Sequence, residues 1–193
     1  MRRNAYRYLG EIHIPGRIRL NHVFREIKAL SLPESGVRML DAGTGRGDIA
    51  LHCARLHPNW QVHGIDVLDD RVERCRTAAE KLALRNVSFS RDNLLNLSAV
   101  GQYDLITNTD VLEHIEPDCL ANVLAHLHSK TKQVLFVDVA IRLAKKNLAD
   151  GRNAHLIIKE TLWWLNQIGV WFNVQSVQSY EGGFVATFTP REK

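Results

Sequence analysis

The sequence predicts an α/β fold built on a mixed, seven-stranded sheet that ends in an antiparallel hairpin. Three observations carry this prediction. From Val37 onward, short apolar runs alternate with amphipathic stretches, the pattern of strand–helix layering. A glycine turn, Gly43–Gly47, joins the first such run to the first such stretch. The last two apolar runs are separated only by Ser179-Tyr180-Glu181-Gly182-Gly183. That is too short for a crossover helix, which needs about a dozen residues, and suits a hairpin.

The elements follow in order. Val37–Asp41 reads as a buried strand, and Asp48–Leu56 as a helix stopped by His57-Pro58. Gln61–Asp66 is the second strand, and Asp70–Leu84 a strongly amphipathic helix. Val87–Arg91 is the third strand and Tyr103–Asn108 the fourth. A helix over Pro117–His128 opens on a proline, whose fixed φ and missing N–H suit a first helical position. Gln133–Val139 is the fifth strand, and Lys159–Ile168 a helix stopped by Gly169. Val170–Val177 and Phe184–Phe188 form the hairpin. Segments 1–36 and 140–158 fall outside this core and are the material available to cover a site.

Composition narrows the class. The 193 residues are 45% hydrophobic and 24% charged, and they suffice for a core without covalent staples. Cys53, Cys75 and Cys119 are too few and too scattered for a disulfide framework or a metal cluster, so no metal site is expected. They read as core thiols. No apolar run approaches the roughly 20 residues that span a bilayer, and no apolar stretch follows the basic start. A cytoplasmic protein is therefore expected. The net charge of +4 is not spread evenly. Residues 1–36 hold seven Arg or Lys against three acids, and the 18 basic and 18 acidic residues that follow cancel. The excess sits in an N-terminal segment that could face nucleic acid, a membrane surface or an acidic substrate.

The chemistry centres on Asp41-Ala42-Gly43-Thr44-Gly45-Arg46-Gly47-Asp48. Glycines let the backbone turn sharply and approach a ligand. A dinucleotide site would read G-x-G-x-x-G and seat a pyrophosphate on the helix N-terminus. Here the spacing is G-x-G-x-G, and Asp41 precedes the first glycine. A carboxylate there repels phosphate and suits a cation. S-adenosylmethionine, with a sulfonium, an ammonium and no phosphate, fits that charge logic. Asp66 lies 19 residues after Gly47 and can accept from both hydroxyls of a ribose. Asp92, after the third strand, could accept an adenine amino group. Three acids after three consecutive strands line the sheet edge where open α/β sheets bind ligands.

Residues 37–115 resemble the class I S-adenosylmethionine-dependent methyltransferases. The matching stretches are Val37–Gly45, Gly64-Ile65-Asp66, Asp92-Asn93-Leu94 and Tyr103-Asp104-Leu105-Ile106. Asp110-Val111-Leu112-Glu113-His114-Ile115 is similar to the motif after the fourth strand of small-molecule O- and C-methyltransferases of the ubiquinone-biosynthesis type. With the hairpin, the resemblance covers about residues 37–189. It implies a Rossmann-like three-layer αβα sandwich over residues 37–193, with residues 1–36 as a basic cap. It also implies ligand roles. Gly43, Thr44 and Gly45 would bring the backbone to the methionine portion, with Asp41 beside the amino group. Asp66 and Val67 would take the ribose, and Asp92, Asn93 and Leu94 the adenine. Thr109 would hold the methionyl end through its backbone. Pro15-Gly16-Arg17-Ile18-Arg19-Leu20 is similar to a stretch that reaches the methionine carboxylate, with Arg19 preferred over Arg17.

Each of these residues has a plainer reading. Asp41 could simply lead into a helix, and Asp92 could be a turn or cap residue. His114 lies where a methyl acceptor must approach, and a neutral imidazole there could take the acceptor's proton. It could equally be a structural histidine bonded to Glu113 or to backbone. His155, in the covering segment, has the same two readings. Trp163 and Trp164 are adjacent and point in different directions on a helix, so one is expected in the core and the other on a surface. Arg142, Lys145, Lys146 and Arg152 read as a solvated face that can also bind anions.

The acceptor is less legible. Methyltransferases of DNA bases or protein glutamine commonly carry an acidic or Asn residue followed by Pro-Pro and an aromatic after the fourth strand. Asn108-Thr109-Asp110-Val111 lacks both prolines, which disfavours an exocyclic amine. The small covering segments suit a bulky, tethered or lipid-like acceptor at O or C, an anionic one if the basic rim takes part. A partner subunit, as in a homodimer, could finish the pocket instead. Three other readings remain. RNA methylation would draw on the basic N-terminus, but no RNA-binding module is attached. A non-catalytic S-adenosylmethionine-binding domain would share the fold. A nicotinamide dehydrogenase is opposed by Asp41 and by the missing third glycine.

Overall fold

The computed structural model describes residues 23–192. Arg17, Arg19 and most of the expected basic cap lie outside the described residues. The chain forms two compact units that part between Arg91 and Asp92. Its seven strands make the mixed sheet of the expected Rossmann-like fold, with an antiparallel hairpin at the C-terminal end.

In the first unit a helical stretch at residues 23–29 precedes strand β1, Arg38–Ala42. Helix α1, Asp48–Leu56, strand β2, Gln61–Asp66, helix α2, Asp69–Lys81, and strand β3, Val87–Arg91, follow. The strands run parallel in the order β3-β2-β1, with Asp41 opposite Gly64 and Asp66 opposite Arg91. Met39, Leu40 and Ala42 of β1 are fully buried, which is why this strand reads as a continuous apolar run. Helix α2 is amphipathic: Val72, Cys75 and Ala79 form its buried stripe. Asp69 and Asp70 in its first turn and Lys81 in its last complement the helix dipole.

This helix ends before the expected Leu84. Ala83 takes φ 54°, and the N–H groups of Ala83 and Leu84 donate to the carbonyls of Glu80 and Ala79. The nested pair of bonds is a Schellman cap, which stops the helix although no glycine stands there to announce it.

In the second unit strand β4, Tyr103–Thr109, is followed by single 3₁₀ turns at Leu112–His114 and Pro117–Cys119. Helix α3, Leu120–Lys130, strand β5, Thr131–Ala140, helix α4, Thr161–Gly169, and strands β6, Phe172–Tyr180, and β7, Gly183–Pro190, complete it. Pro117 therefore opens a 3₁₀ turn, and the α-helix proper begins at Leu120. The strand order is β4-β5-β7-β6, parallel for β4 and β5 and antiparallel thereafter. The hairpin turn is tighter than expected, because Tyr180 pairs with Gly183 and only Glu181 and Gly182 are left to turn the chain. Trp164 of α4 is fully buried, whereas Trp163 is half-buried and lines a cleft with Pro117, Leu120, Leu156 and Ile157. Among the described residues no helix is long and apolar enough to cross a membrane.

Candidate functional site

In the first unit the turn after β1 is a closed hydrogen-bonded structure. Gly43, Gly45 and Gly47 all have positive φ, at 88°, 56° and 78°. The Gly43 and Thr44 N–H groups both donate to the Ile65 carbonyl, and the Gly47 N–H donates to that of Thr44. Asp41 is buried at the end of β1 and accepts from Thr44 Oγ1 at 2.6 Å. Asp66 is buried at the end of β2 and accepts from the Gly45 N–H at 3.0 Å and the Leu68 N–H at 3.0 Å. Arg71 Nη1 stands 3.3 Å from its Oδ2. The structure thus brings Asp41, Gly43, Thr44, Gly45 and Asp66 into one cluster. Val67, next along, is about half exposed.

Two glycines make room here. A Cβ on Gly64 would fall 2.5 Å from Phe89 Cδ1 and 2.9 Å from Thr44 Oγ1, so the turn rests directly on the β2 backbone. Among the described residues, a Cβ on Gly45 would meet nothing nearer than the Gly43 carbonyl oxygen at 4.0 Å, the room that close approach of a ligand requires. Two buried carboxylates beside that space fit a cationic ligand that also carries hydroxyls, and S-adenosylmethionine is such a ligand. Each carboxylate oxygen has two lone pairs, so the bonds in place leave acceptor capacity for a ribose. Cys75 Sγ lies 3.5 Å from the Gly45 carbonyl oxygen. Burial, with Asp41 and Asp66 nearby, pushes its thiol up to about 12, so it is inert as a nucleophile. Cys53 is raised by its burial as well.

In the second unit Asp92 turns back on its own loop. Its carboxylate accepts from the N–H groups of Asn93, Ser98 and Ala99 and from Ser98 Oγ. Asn93 Oδ1 accepts from the Leu95 N–H and caps the 3₁₀ turn Leu94–Asn96. Leu94 is buried, and its carbonyl lies 3.0 Å from His126 Nδ1. Asp92 thus acts as a turn residue, and any ligand must share its carboxylate with the loop.

Thr109 ends β4 opposite Asp138. The next residue, Asp110, takes φ 60° and donates its N–H to the Asp138 carbonyl. Glu113 is buried: its Oε1 accepts from the Ala140 N–H at 2.8 Å, and its carbonyl accepts from the N–H groups of Leu156 and Ile157. His114 is exposed, with Nδ1 2.6 Å from the Ala154 carbonyl oxygen. His155 is buried, with Nδ1 2.5 Å from the Arg142 carbonyl oxygen. The segment between β5 and α4 is thus bonded to the turn after β4. One potential ligand atom each from Asp110, Glu113, His114 and His155 lies within 4.8 Å of the others. The sequence suggests only the neighbours Glu113 and His114 as a pair; the fold adds Asp110 and His155 to them.

The comparisons agree with this architecture. The chain is 37% identical over 84 residues to the ribosomal protein uL3 glutamine methyltransferase of Xanthomonas campestris, covering 43% of this chain and 27% of that one. It is 28% identical over 107 residues to a ubiquinone biosynthesis O-methyltransferase of Rickettsia bellii, covering 55% and 43%. The chain spans less than half the length of these relatives. Magnesium protoporphyrin IX methyltransferase from Synechocystis, solved with bound S-adenosylhomocysteine, shares the fold at a TM-score of 0.73 and 18% identity, covering 97% and 94%. A family model described as a methyltransferase domain matches residues 33–172, most of the chain. The chain accordingly belongs to the methyltransferase domain family, of the class I S-adenosylmethionine-dependent type.

Proposed function

We propose that the protein transfers the methyl group of S-adenosylmethionine to oxygen or carbon of a small-molecule, lipid-like or tethered acceptor. The observation that carries this reading is the pair of buried carboxylates, Asp41 and Asp66, flanking the open face of Gly45. Family membership supports the same chemistry.

The sulfonium cofactor supplies an already activated methyl group. The protein's part is then orientation and exclusion of water. Asp41, with Thr44 fixing its carboxylate, holds the ammonium of the amino-acid portion, and Gly43 and Gly45 admit that portion to the backbone. Asp66 accepts from the ribose hydroxyls, with Val67 beside it. Asp92, Asn93 and Leu94 border the adenine, and Thr109 offers backbone to the methionyl end. For the carboxylate we assign Arg19, on the resemblance of its stretch Pro15–Leu20. His114 takes the acceptor's proton where the acceptor is a hydroxyl or an acidic carbon: its Nδ1 faces a carbonyl oxygen, so in the neutral ring Nε2 is the proton acceptor.

The relatives named as glutamine methyltransferases favour a second reading, a protein amide acceptor. The turn Asn108-Thr109-Asp110-Val111 opposes it, because it lacks the paired prolines expected for amide chemistry. The cleft beside Trp163, about 410 Å³ and lined by Leu120, Leu156 and Ile157, supports an apolar acceptor. The exposed lysines Lys145 and Lys146 support an anionic group on it. Incubating the protein and cell extract with radiolabelled S-adenosylmethionine, then identifying the labelled product, tests the proposal. Label in a small molecule or lipid supports it, and label in protein or RNA overturns the acceptor class. Cofactor binding with no labelled product in any extract would mark a non-catalytic domain.

A further inference from the structure

We infer that the outer edge of β6 pairs, antiparallel and about a two-fold axis, with the same edge of a second copy of this chain. The contact lies within the second unit and does not depend on the methyl-transfer reading.

β6 is the last strand of its sheet, beyond β7, and residues 173–179 are exposed on both of its faces. A sheet edge presents a row of backbone N–H and C=O groups, a template for another strand. Proteins guard such edges with charge, proline, short strands or a covering group. In the first unit the edge strand β3 is guarded. It has five residues and ends on Arg91, and Arg76 donates to its Phe89 carbonyl from Nε at 3.1 Å and Nη2 at 2.9 Å. β6 has nine residues with no charge and no proline. Arg191 Nε donates to the Phe172 carbonyl at 3.2 Å, at the very start of the strand.

The irregularity of β6 shapes its apolar surface. Residues three apart on a regular strand face opposite sides of the sheet. Here the register shifts between Val174 and Ser176, so Val174 lies opposite Phe188 and Val177 opposite Ala186. Phe188 and Ala186 are two apart and share a face, and residues directly opposite share it with them. Leu135 and Val137 of β5 lie opposite Phe188 and Ala186 in turn. Two apolar rows therefore cross one face of the sheet. Leu135, Phe188, Val137 and Ala186 are at most 2% exposed, whereas Val174 is 44% and Val177 40% exposed. Both rows run out to the edge and end there in the open. Val170, just before the strand, is 66% exposed. The opposite face is polar: Ser176 Oγ lies 2.7 Å from Thr187 Oγ1, and Gln175 Nε2 donates to Thr189 Oγ1 at 3.0 Å.

Three features select a second copy as the occupant. A strand paired antiparallel with its own copy brings any charge it carries toward a like charge across the axis, and β6 carries none. A two-fold axis perpendicular to the sheet keeps each face on its own side, so the apolar rows continue from one copy into the other. The size also suits. A nine-residue strand spans about 30 Å. A strip of that length and ~10 Å deep buries on the order of 1,000 Å² over the two copies, the low end for a specific interface. The assembly is therefore a reversible dimer that forms as concentration rises.

Sedimentation velocity of the full chain from about 1 to about 100 µM, where an interface of this size dissociates, should show the mass rise from one chain toward two. Over the same range amide exchange at residues 173–177 should slow, because edge N–H groups gain partners. Val177→Lys sets like charges near each other across the axis and should weaken dimerisation roughly tenfold or more. Val177→Glu should do the same. An equimolar mixture of the two variants should dimerise again, which a folding defect would not allow. Val174→Lys, at a similarly exposed position, repeats the test. A single-chain mass at every concentration would overturn the inference. So would a dimer that Val174→Lys and Val177→Lys leave intact, because the contact would then lie on another surface.

Discussion

Asp66 accepts a hydrogen bond from the backbone N–H of Gly45 at 3.0 Å, joining the end of β2 to the turn after β1. One carboxylate therefore serves two purposes: it shapes the turn and stands at the open face of Gly45.

Asp66→Asn keeps the shape and removes the charge. Hydrogen bonds to charged groups are worth about 1.5–3 kcal/mol. Calorimetric affinity for S-adenosylhomocysteine should fall about ten- to a hundredfold. Unchanged affinity in a folded variant would remove Asp66 from the ribose.

Gly64→Ala tests the seat of the turn. The new methyl would press on Phe89 and on Thr44 Oγ1. Overpacking of this kind costs typically about 1–3 kcal/mol, read as a lower urea midpoint. Phe89→Leu should recover part of the loss in the double variant. An unaffected single variant would mean that the turn yields freely.

Ala83→Gly addresses the cap of α2. A residue with a Cβ pays roughly 1 kcal/mol or more in the left-handed region, and glycine does not. The substitution should raise stability by about 0.5–1 kcal/mol in denaturant titrations, less the entropy that glycine adds to the unfolded chain. A drop in stability would contradict the Schellman geometry.

His52 gives the first unit a pH dependence. Its ring stacks on Phe24 with centroids 3.7 Å apart. Burial lowers its pKa from 6.5 to about 4, helped by Arg55 and His57. Between those values the unfolded chain binds more protons than the folded one. Stability is therefore full above pH 6.5 and falls as the pH drops toward 4. His52→Phe keeps the stack and removes the titration, so its melting temperature should fall less over that range. His57, also lowered by burial, leaves a residual slope of the same sign.

Much of the cluster around the first turn could be read from the chain because it is local. Asp41, Gly43, Gly45 and Asp66 lie at strand ends and in one short turn, where parallel register alone brings residues close. Asp92 shows the limit of that reading. Its spacing suits a turn and a ligand equally, and only the bonds to Ser98 and Ala99 show that the turn is made. Pro117 marked the start of a helical region but could not reveal whether its first turn is 3₁₀ or α.

The sequence by itself determined the α/β class, the order of the strands along the chain, the terminal hairpin and the charge character of the first turn. These follow from apolar periodicity, from glycine placement and from which acids end which strands, all of which are short-range. Tertiary structure alone decided that His155 stands with Asp110, Glu113 and His114, and that the carbonyls of Arg142 and Ala154 set both imidazole tautomers. Segments far apart in the chain meet through packing and long-range hydrogen bonds. No period or spacing in the sequence encodes which backbone carbonyl a distant ring nitrogen will face.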